Sequence, residues 1–167
     1  MRLFIALQLN SEMKKALTDL QDRMQRLGVR GNFTKPENLH LTLAFIGEYP
    51  DTEDVIDVLE TIRVQPFQIS LEGIGSFRNL WWAGLSGSDE LKNLAKRLRR
   101  GLAEAGIPYD RKKFSPHITL VRKPLTRSGT IPEEILQEPL RGKMTVEHIS
   151  LMRSDRGKHG MIYTELY

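Results

Sequence analysis

The order of apolar and polar positions predicts short strands that alternate with amphipathic helices. Residues 3–9 are mostly apolar, which predicts a buried strand. Apolar positions then recur every three or four residues up to Gly28, which predicts a helix capped by Asn10 or Ser11. Further strands are predicted at residues 39–46, 67–71, 81–85, 117–122, 144–152 and 160–166, further helices at 51–62 and from 88 or 89, and one helical turn at 133–137. Residues 29–38, 107–115 and most of 124–139 are expected to form loops.

Two of the predicted strands carry the same motif, His-x-Thr-Leu, which begins at His40 and at His117. Because residues i and i+2 of a strand project to the same side about 6 to 7 Å apart, each motif presents an imidazole and a hydroxyl together. In the first strand, alternation predicts that Leu39, Leu41, Leu43 and Phe45 face the core, with His40, Thr42 and Ala44 on the other face.

The two motifs belong to a longer internal repeat. Leu85 follows Leu7 by 78 positions, and His117 follows His40 by 77. The glycines that end the two amphipathic stretches, Gly28 and Gly106, also lie 78 positions apart. We therefore predict a duplicated strand-helix-strand unit within a single domain of residues 1–167, with pseudo-symmetric halves of roughly 1–78 and 79–167.

Composition restricts the chemistry and the partners. The 167 residues contain no cysteine, which excludes disulfides, thiolate catalysis and cysteine-ligated metal. No long apolar stretch or basic-then-apolar leader is present, so we expect a cytoplasmic protein without a membrane segment, and a monomer. The net charge of +4 favours an anionic partner. The second half should be the more positive, although the basic face of its helix is typical of a solvated surface; its cations are Arg97, Arg99, Arg100, Arg111, Lys112, Lys113, Arg122, Lys123 and Arg127.

Two histidines and two threonines facing one space suit the chemistry of phosphodiesters. An imidazole with a pKa near 6.5 serves as either acid or base near neutral pH, and hydroxyls donate to non-bridging phosphate oxygens. Symmetry leaves open which histidine is the acid. A metal centre is the alternative, but neither motif contains the carboxylate that hydrolytic metal sites use. His148 and His159 have no partner at comparable spacing and are interpreted as non-catalytic.

The paired motifs resemble those of the 2H phosphoesterase superfamily, and within it the RNA 2′,3′-cyclic phosphodiesterases, also called 2′-5′ RNA ligases. The resemblance extends over essentially the whole chain and rests on Arg2-Leu3-Phe4-Ile5-Ala6, both His-x-Thr-Leu motifs, the Phe114-x-Pro116 lead-in, Arg122, and the closing Ser154, Gly160 and Tyr163. It implies a duplicated, bilobal α+β fold. Two mainly antiparallel sheets would carry their helices outside and enclose a central cleft.

The resemblance also implies the activity and the roles of the residues. It implies metal-independent hydrolysis of an RNA terminal 2′,3′-cyclic phosphate to a 2′-phosphate without a cofactor, together with reverse 2′-5′ ligation. His40 would be the proton donor and His117 the proton acceptor. The substrate-binding residues would be Thr42, Thr119, Arg122 and Phe4. Strict alternation puts Arg122 on the face opposite His117, so this assignment requires a twist or bulge.

Three functional hypotheses stay open at the level of the sequence. The first is an enzyme for RNA ends with a cyclic phosphate, tRNA fragments included. The second is a phosphodiesterase for small cyclic nucleotides, ADP-ribose cyclic phosphate or 2′-5′ oligonucleotides. The third is a non-catalytic module that binds nucleotides or RNA ends, which the presence of both complete motifs disfavours.

Overall fold

Two antiparallel sheets form the framework of the protein. The computed structural model describes the backbone of residues 1–167 and the side chains of residues 1–87 and 89–167. One sheet has the strand order β3-β1-β8-β9, and the other has the order β2-β6-β5-β4-β7. The strands are β1 (Arg2–Gln8), β2 (Arg30–Phe33), β3 (His40–Glu48), β4 (Phe67–Phe77), β5 (Leu80–Ser86), β6 (Ile118–Leu125), β7 (Lys143–Val146), β8 (Ser150–Gly157) and β9 (Gly160–Glu165).

The helices begin and end where the sequence provides caps. The Asn10 side chain accepts the Met13 N–H at 2.8 Å at the start of the first helix, and Asp51 accepts the Glu53 N–H at 3.0 Å at the start of the second. Gly28 follows the first helix with a φ of 90°, a conformation that glycine adopts readily. The helices are α1 (Ser11–Arg26), α2 (Thr52–Thr61), α3 (Ser88–Glu104) and α4 (Glu133–Gln137).

The main hydrophobic core lies between the helices and one face of each sheet. Leu17 of α1, Leu94 of α3, Leu41 of β3 and Leu120 of β6 are completely buried within it. A separate small cluster of Phe4, Ala6 and Met152, with Phe45 and Tyr163 against it, lies on the other face of the first sheet. The helices therefore cover the outer faces, and the predicted α+β fold with two antiparallel sheets is confirmed.

The duplicated units exchange their last strands. β4 follows β3 and α2 in sequence but pairs with β5, the first strand of the second unit. β8 closes the second unit and pairs with β1. Each sheet therefore contains strands from both halves of the sequence, which ties the two sheets into one body.

Several predicted element boundaries are wrong. β2 occupies part of the predicted loop at residues 29–38; it is polar and pairs only with β6, so it lacks an apolar alternation. β4 continues beyond Leu71 to Phe77 through a register shift at Leu71/Ile74. The predicted strand at residues 144–152 is two strands, β7 and β8, because the chain leaves one sheet after Val146 and enters the other at Ser150.

A β-bulge corrects the predicted faces of β3. Ile5 pairs with Ala44 but Ala6 pairs with Thr42, so Leu43 is an extra residue in the ladder. Leu43 and Ala44 are consequently both buried in the main core. Phe45 returns to the opposite face, where it packs against the small cluster, although alternation had predicted the reverse for Ala44 and Phe45.

Candidate active site

A cleft of about 380 Å³ lies between the inner faces of the two sheets. All six residues singled out from the sequence line it: Phe4, His40, Thr42, His117, Thr119 and Arg122. The other lining residues are Arg2, Thr34, Asn38, Phe45, Ser154, Arg156, Met161 and Tyr163. The two His-x-Thr motifs thus open onto one shared space.

The two histidines are held in equivalent ways. His40 Nδ1–H donates to the carbonyl oxygen of Asn38 at 2.6 Å, and His117 Nδ1–H donates to the carbonyl oxygen of Ser115 at 2.7 Å. Because a carbonyl oxygen only accepts, each Nδ1 carries a proton, and Nε2 is the nitrogen that exchanges protons. His40 Nε2 also lies 2.8 Å from Thr42 Oγ1. The backbone two residues earlier therefore fixes each ring.

The surroundings of His40 change its acidity. Its ring lies 5.0 Å from the Phe4 ring and 5.3 Å from the Tyr163 ring, between centroids. This burial lowers the pKa of His40, and the positive charges of Arg122 and His117 lower it further, against an opposing contribution from the Asn38 carbonyl. The free protein therefore favours the neutral form of His40.

His117 has a more open environment. Its ring lies nearly perpendicular to the Phe77 ring with 5.0 Å between the ring centres, and Phe77 in turn packs against Trp82 with 5.4 Å between the ring centres. Phe77 is 42% exposed, whereas Phe4 beside His40 is only 3% exposed. The two histidines are therefore equivalent in backbone geometry and both half-buried, but the aromatic ring beside His117 is much more exposed than the ring beside His40.

A second bulge brings Arg122 to the cleft. Trp81 pairs with Val121 but Trp82 pairs with Thr119, so Leu120 is the extra residue in β6. The bulge supplies the change of face that an arginine five positions after His117 requires. The carbonyl oxygen of the bulge residue Leu120 is buried and satisfied, because it accepts Gln21 Nε2–H at 2.9 Å and the Thr34 N–H at 3.0 Å.

The bulges at Leu43 and Leu120 are 77 positions apart, the same offset as the motifs. Phe45 therefore occupies in the first sheet the place of Arg122 in the second. The cation on that side comes instead from β1, where the Arg2 guanidinium lies 5.0 Å from the centre of the Phe45 ring. The cleft consequently receives positive charge from both sheets by different routes.

The charge of the cleft favours an anion. Arg2, Arg122 and Arg156 line it, and no Asp or Glu does so among the side chains that the structure describes. In the same described part of the chain, no group of three or more His, Asp or Glu side chains comes together as a metal site would require. Phosphate oxygens are the chemistry that this set of donors fits.

Sequence reasoning did not assign a site role to several contributors. Asn38 has its side chain 8% exposed and donates from Nδ2 to the carbonyl of Met161 at 2.9 Å, which anchors the turn that holds His40. No local sequence pattern marks Arg156 or Phe77 as part of the site, because their positions depend on the pairing of strands that are distant in sequence. The two remaining histidines do not line the cleft: His148 is exposed between β7 and β8, and His159 lies in the β8-β9 turn.

Fold and site define a class of α+β protein in which two facing sheets each bring a His-x-Thr motif to an arginine-rich cleft. The sequence model of the 2′-5′ RNA ligase superfamily matches residues 9–158. The chain belongs to this family, as its resemblance to the 2H phosphoesterases predicted.

Named relatives and solved structures agree with this assignment. The chain is 30% identical to the RNA 2′,3′-cyclic phosphodiesterase of Thermotoga maritima, over 100% of this chain and 94% of the relative. It is 35% identical to that of Thermus thermophilus, over 99% of this chain and 88% of the relative. The crystal structure of apo E. coli LigT superposes with a TM-score of 0.82 at 28% identity, covering 99% of this chain and 94% of LigT. No helix in the described part of this chain is long and apolar enough to cross a membrane.

Proposed function

We propose that this protein hydrolyses the 2′,3′-cyclic phosphate at the end of an RNA to a 2′-phosphate, by metal-independent acid and base catalysis. The observation that carries the proposal is the pair of equivalently held histidines, His40 and His117, lining one arginine-rich cleft. In-line displacement at phosphorus needs a base on the side of the attacking oxygen and an acid on the side of the leaving oxygen. Two imidazoles on opposite walls provide both. The names of the relatives support the same activity.

The proposed roles follow the family resemblance. His117 Nε2 takes a proton from the attacking water as its oxygen bonds to phosphorus. The bond from phosphorus to O3′ then breaks, and protonated His40 Nε2 gives its proton to O3′. Since burial and nearby cations lower the pKa of His40, this assignment requires that the bound phosphate anion raise that pKa again. The phosphate charge offsets the repulsion from Arg122 that disfavours the imidazolium, and His117, which is neutral when it acts as the base, adds no repulsion.

The remaining site residues stabilise the reacting phosphate. Thr42, Thr119 and Arg122 line the cleft and donate to the non-bridging oxygens, which gather charge in the transition state. Phe4 forms the wall beside the phosphate and packs on the His40 ring at 5.0 Å. Joining of ends would be the same displacement with an RNA 5′-hydroxyl in place of water. Its oxygen bonds to phosphorus as His117 takes its proton, and the bond to O3′ breaks as His40 protonates O3′, which leaves a 2′-5′ linkage.

A nucleotide substrate is the second candidate. A crystal structure of E. coli LigT carries 3′-AMP, and that chain is 29% identical to this one with a TM-score of 0.81. A cleft of about 380 Å³ accepts a single nucleotide. Small cyclic nucleotides would then react at the same histidines. The monomeric state, the cytoplasmic location and action on tRNA fragments stay predictions.

The deciding experiment incubates the protein with short RNAs that end in a 2′,3′-cyclic phosphate and separates the 2′-phosphate from the 3′-phosphate product. We expect the 2′-phosphate alone, and its loss in His40→Ala and in His117→Ala. His148→Ala, an exposed histidine away from the cleft, is the matched control and should keep full activity. A 3′-phosphate product, or hydrolysis that survives both cleft substitutions, would overturn the proposal.

A further inference from the structure

A second positively charged feature lies outside the cleft, on the side of α3. It is a groove of about 420 Å³ between that helix and the loop that leads to His117. We call it the basic groove; its exposed cations are Lys92, Lys96, Arg100 and Lys113, and its inner wall is formed by Arg99, Tyr109 and Phe114. No ion pair among the described side chains involves any of its lysines or arginines.

The internal duplication provides a comparison within the same molecule. At the offset of 78 positions that relates Leu7 to Leu85 and Gly28 to Gly106, Lys92, Lys96 and Arg100 of α3 correspond to Lys14, Thr18 and Asp22 of α1. The second unit therefore has cations where the first has a neutral threonine and an aspartate, so this face of α3 carries only positive charge. The difference is specific to α3 and does not follow from helix solubility alone.

The inner wall of the basic groove is fixed in place. The Arg99 guanidinium lies 5.7 Å from the ring centres of both Tyr109 and Phe114. Its Nη1 donates to the Lys112 carbonyl at 2.7 Å, and its Nε donates to the Leu43 carbonyl at 3.3 Å. Arg99 thereby joins the aromatic wall to the bulge of β3. Cations beside held aromatic rings are the combination that binds single-stranded nucleic acid, through phosphate contacts and base stacking.

The basic groove lies close to the cleft along the chain. Phe114 precedes His117 by three residues, and an extended chain of that length spans at most about 11 Å. The inner wall of the basic groove is also close to the first motif, because Arg99 donates to the carbonyl of Leu43, and Leu43 directly follows Thr42, which lines the cleft. A polynucleotide with its end in the cleft therefore has only a short distance to reach the groove.

We propose that the basic groove binds the RNA strand upstream of the terminal cyclic phosphate, so that the enzyme prefers RNA ends over cyclic mononucleotides. The proposal rests on the proposed function, because it assigns the polymer part of the same substrate. The lysines contact backbone phosphates, and the aromatic wall supports the bases.

The test compares the variant Lys92→Gln/Lys96→Gln/Lys113→Gln with the unmodified protein on two substrates, a ten-nucleotide RNA ending in a 2′,3′-cyclic phosphate and a cyclic mononucleotide. Affinity for the ten-nucleotide RNA, measured by fluorescence anisotropy, should lose about 2 units of its salt slope, since each contact to single-stranded RNA contributes about 0.7. Between 50 and 200 mM salt the unmodified protein should therefore lose roughly 20-fold more affinity than the variant. The value of kcat/KM should fall for the ten-nucleotide RNA and stay unchanged for the mononucleotide.

A matched variant controls for net charge. Arg26→Gln/Arg127→Gln/Arg141→Gln removes the same number of exposed cations, none of which lines the groove or the cleft, and should leave both substrates unaffected. An unchanged salt slope in the lysine variant, or an equal loss in the control variant, would overturn the assignment of the groove.

The experiment distinguishes an error in the proposed role of the basic groove from an error in the proposed function. Hydrolysis of both substrates without any dependence on the three lysines would keep the function and remove the groove. Salt-dependent binding that needs the lysines, without hydrolysis of either substrate, would keep the groove as an RNA site and remove the function.

Discussion

A buried glutamine supports the part of β6 that delivers Arg122 to the cleft. Gln21 is 6% exposed, and its Nε2 donates at 2.9 Å to the carbonyls of Thr34 and of Leu120, the bulge residue. Gln21→Met keeps the length of the side chain and removes both hydrogen bonds. Each neutral bond contributes about 0.5–1.5 kcal/mol, so the free energy of unfolding should fall by about 1–3 kcal/mol. For a domain of this size, a loss of 2 kcal/mol lowers Tm by about 4–8 °C.

Urea and thermal unfolding measure this loss, with Gln25→Met as the control, because Gln25 lies one turn further along α1 and is exposed. Gln21→Glu should destabilise more than Gln21→Met, since a carboxylate facing two carbonyl oxygens repels both. Below the Tm of each variant, kcat/KM for the cyclic-phosphate RNA should fall in Gln21→Met and hold in Gln25→Met. Equal stability of the two methionine variants would refute the supporting role of Gln21.

Four further predictions concern the cleft. Hydrolysis should continue undiminished in EDTA, and loss on chelation with recovery on adding a divalent ion would contradict the acid and base mechanism. The His40 ring, followed by NMR, should titrate below 6.5 in the free protein and at higher pH with bound phosphate; a value at or above 6.5 in the free protein would be inconsistent with its burial. Because the unfolded chain binds this proton at a higher pH than the folded protein does, the free energy of unfolding should decrease as pH falls through 6.5. The decrease should be smaller in His40→Asn. Arg122→Gln should lower kcat by about 10²- to 10³-fold, which is the usual cost of losing one donor to a developing oxyanion. A smaller loss, in a variant that urea unfolding shows to be folded under the assay conditions, would remove Arg122 from that role.

The features that depend on local pattern could be predicted from the sequence. The period of apolar positions placed α1 and α3 because helix periodicity involves neighbours within one turn. The repeated His-x-Thr-Leu motif located His40 and His117, because alternation in a strand decides which side chains share a face. These short-range rules identified the motif residues, and the internal repeat together with the family resemblance indicated that both motifs share one cleft.

The features that depend on distant partners could not be predicted. A bulge changes the face of all later residues, and the bulge at Leu43 exists only relative to the register of β1; this is why Phe45 was assigned to the wrong face. β2 is short and polar, so only its pairing with β6 makes it a strand. Asn38 supports His40 through a bond to Met161, far away in sequence, and such a bond has no local signature.

The central claim, that His40 and His117 divide the acid and base roles at one phosphate, is tested most directly by changing the leaving group. A ribose alkoxide is a poor leaving group and needs a proton, whereas nitrophenolate leaves readily as an anion. His40→Ala should therefore lose most activity on a cyclic-phosphate RNA end but recover relative activity on a nitrophenyl phosphodiester. His117→Ala should stay impaired on both substrates, because water still needs a base. Equal recovery of the two variants would contradict the division of roles, and recovery of His117→Ala alone would show that the roles are reversed.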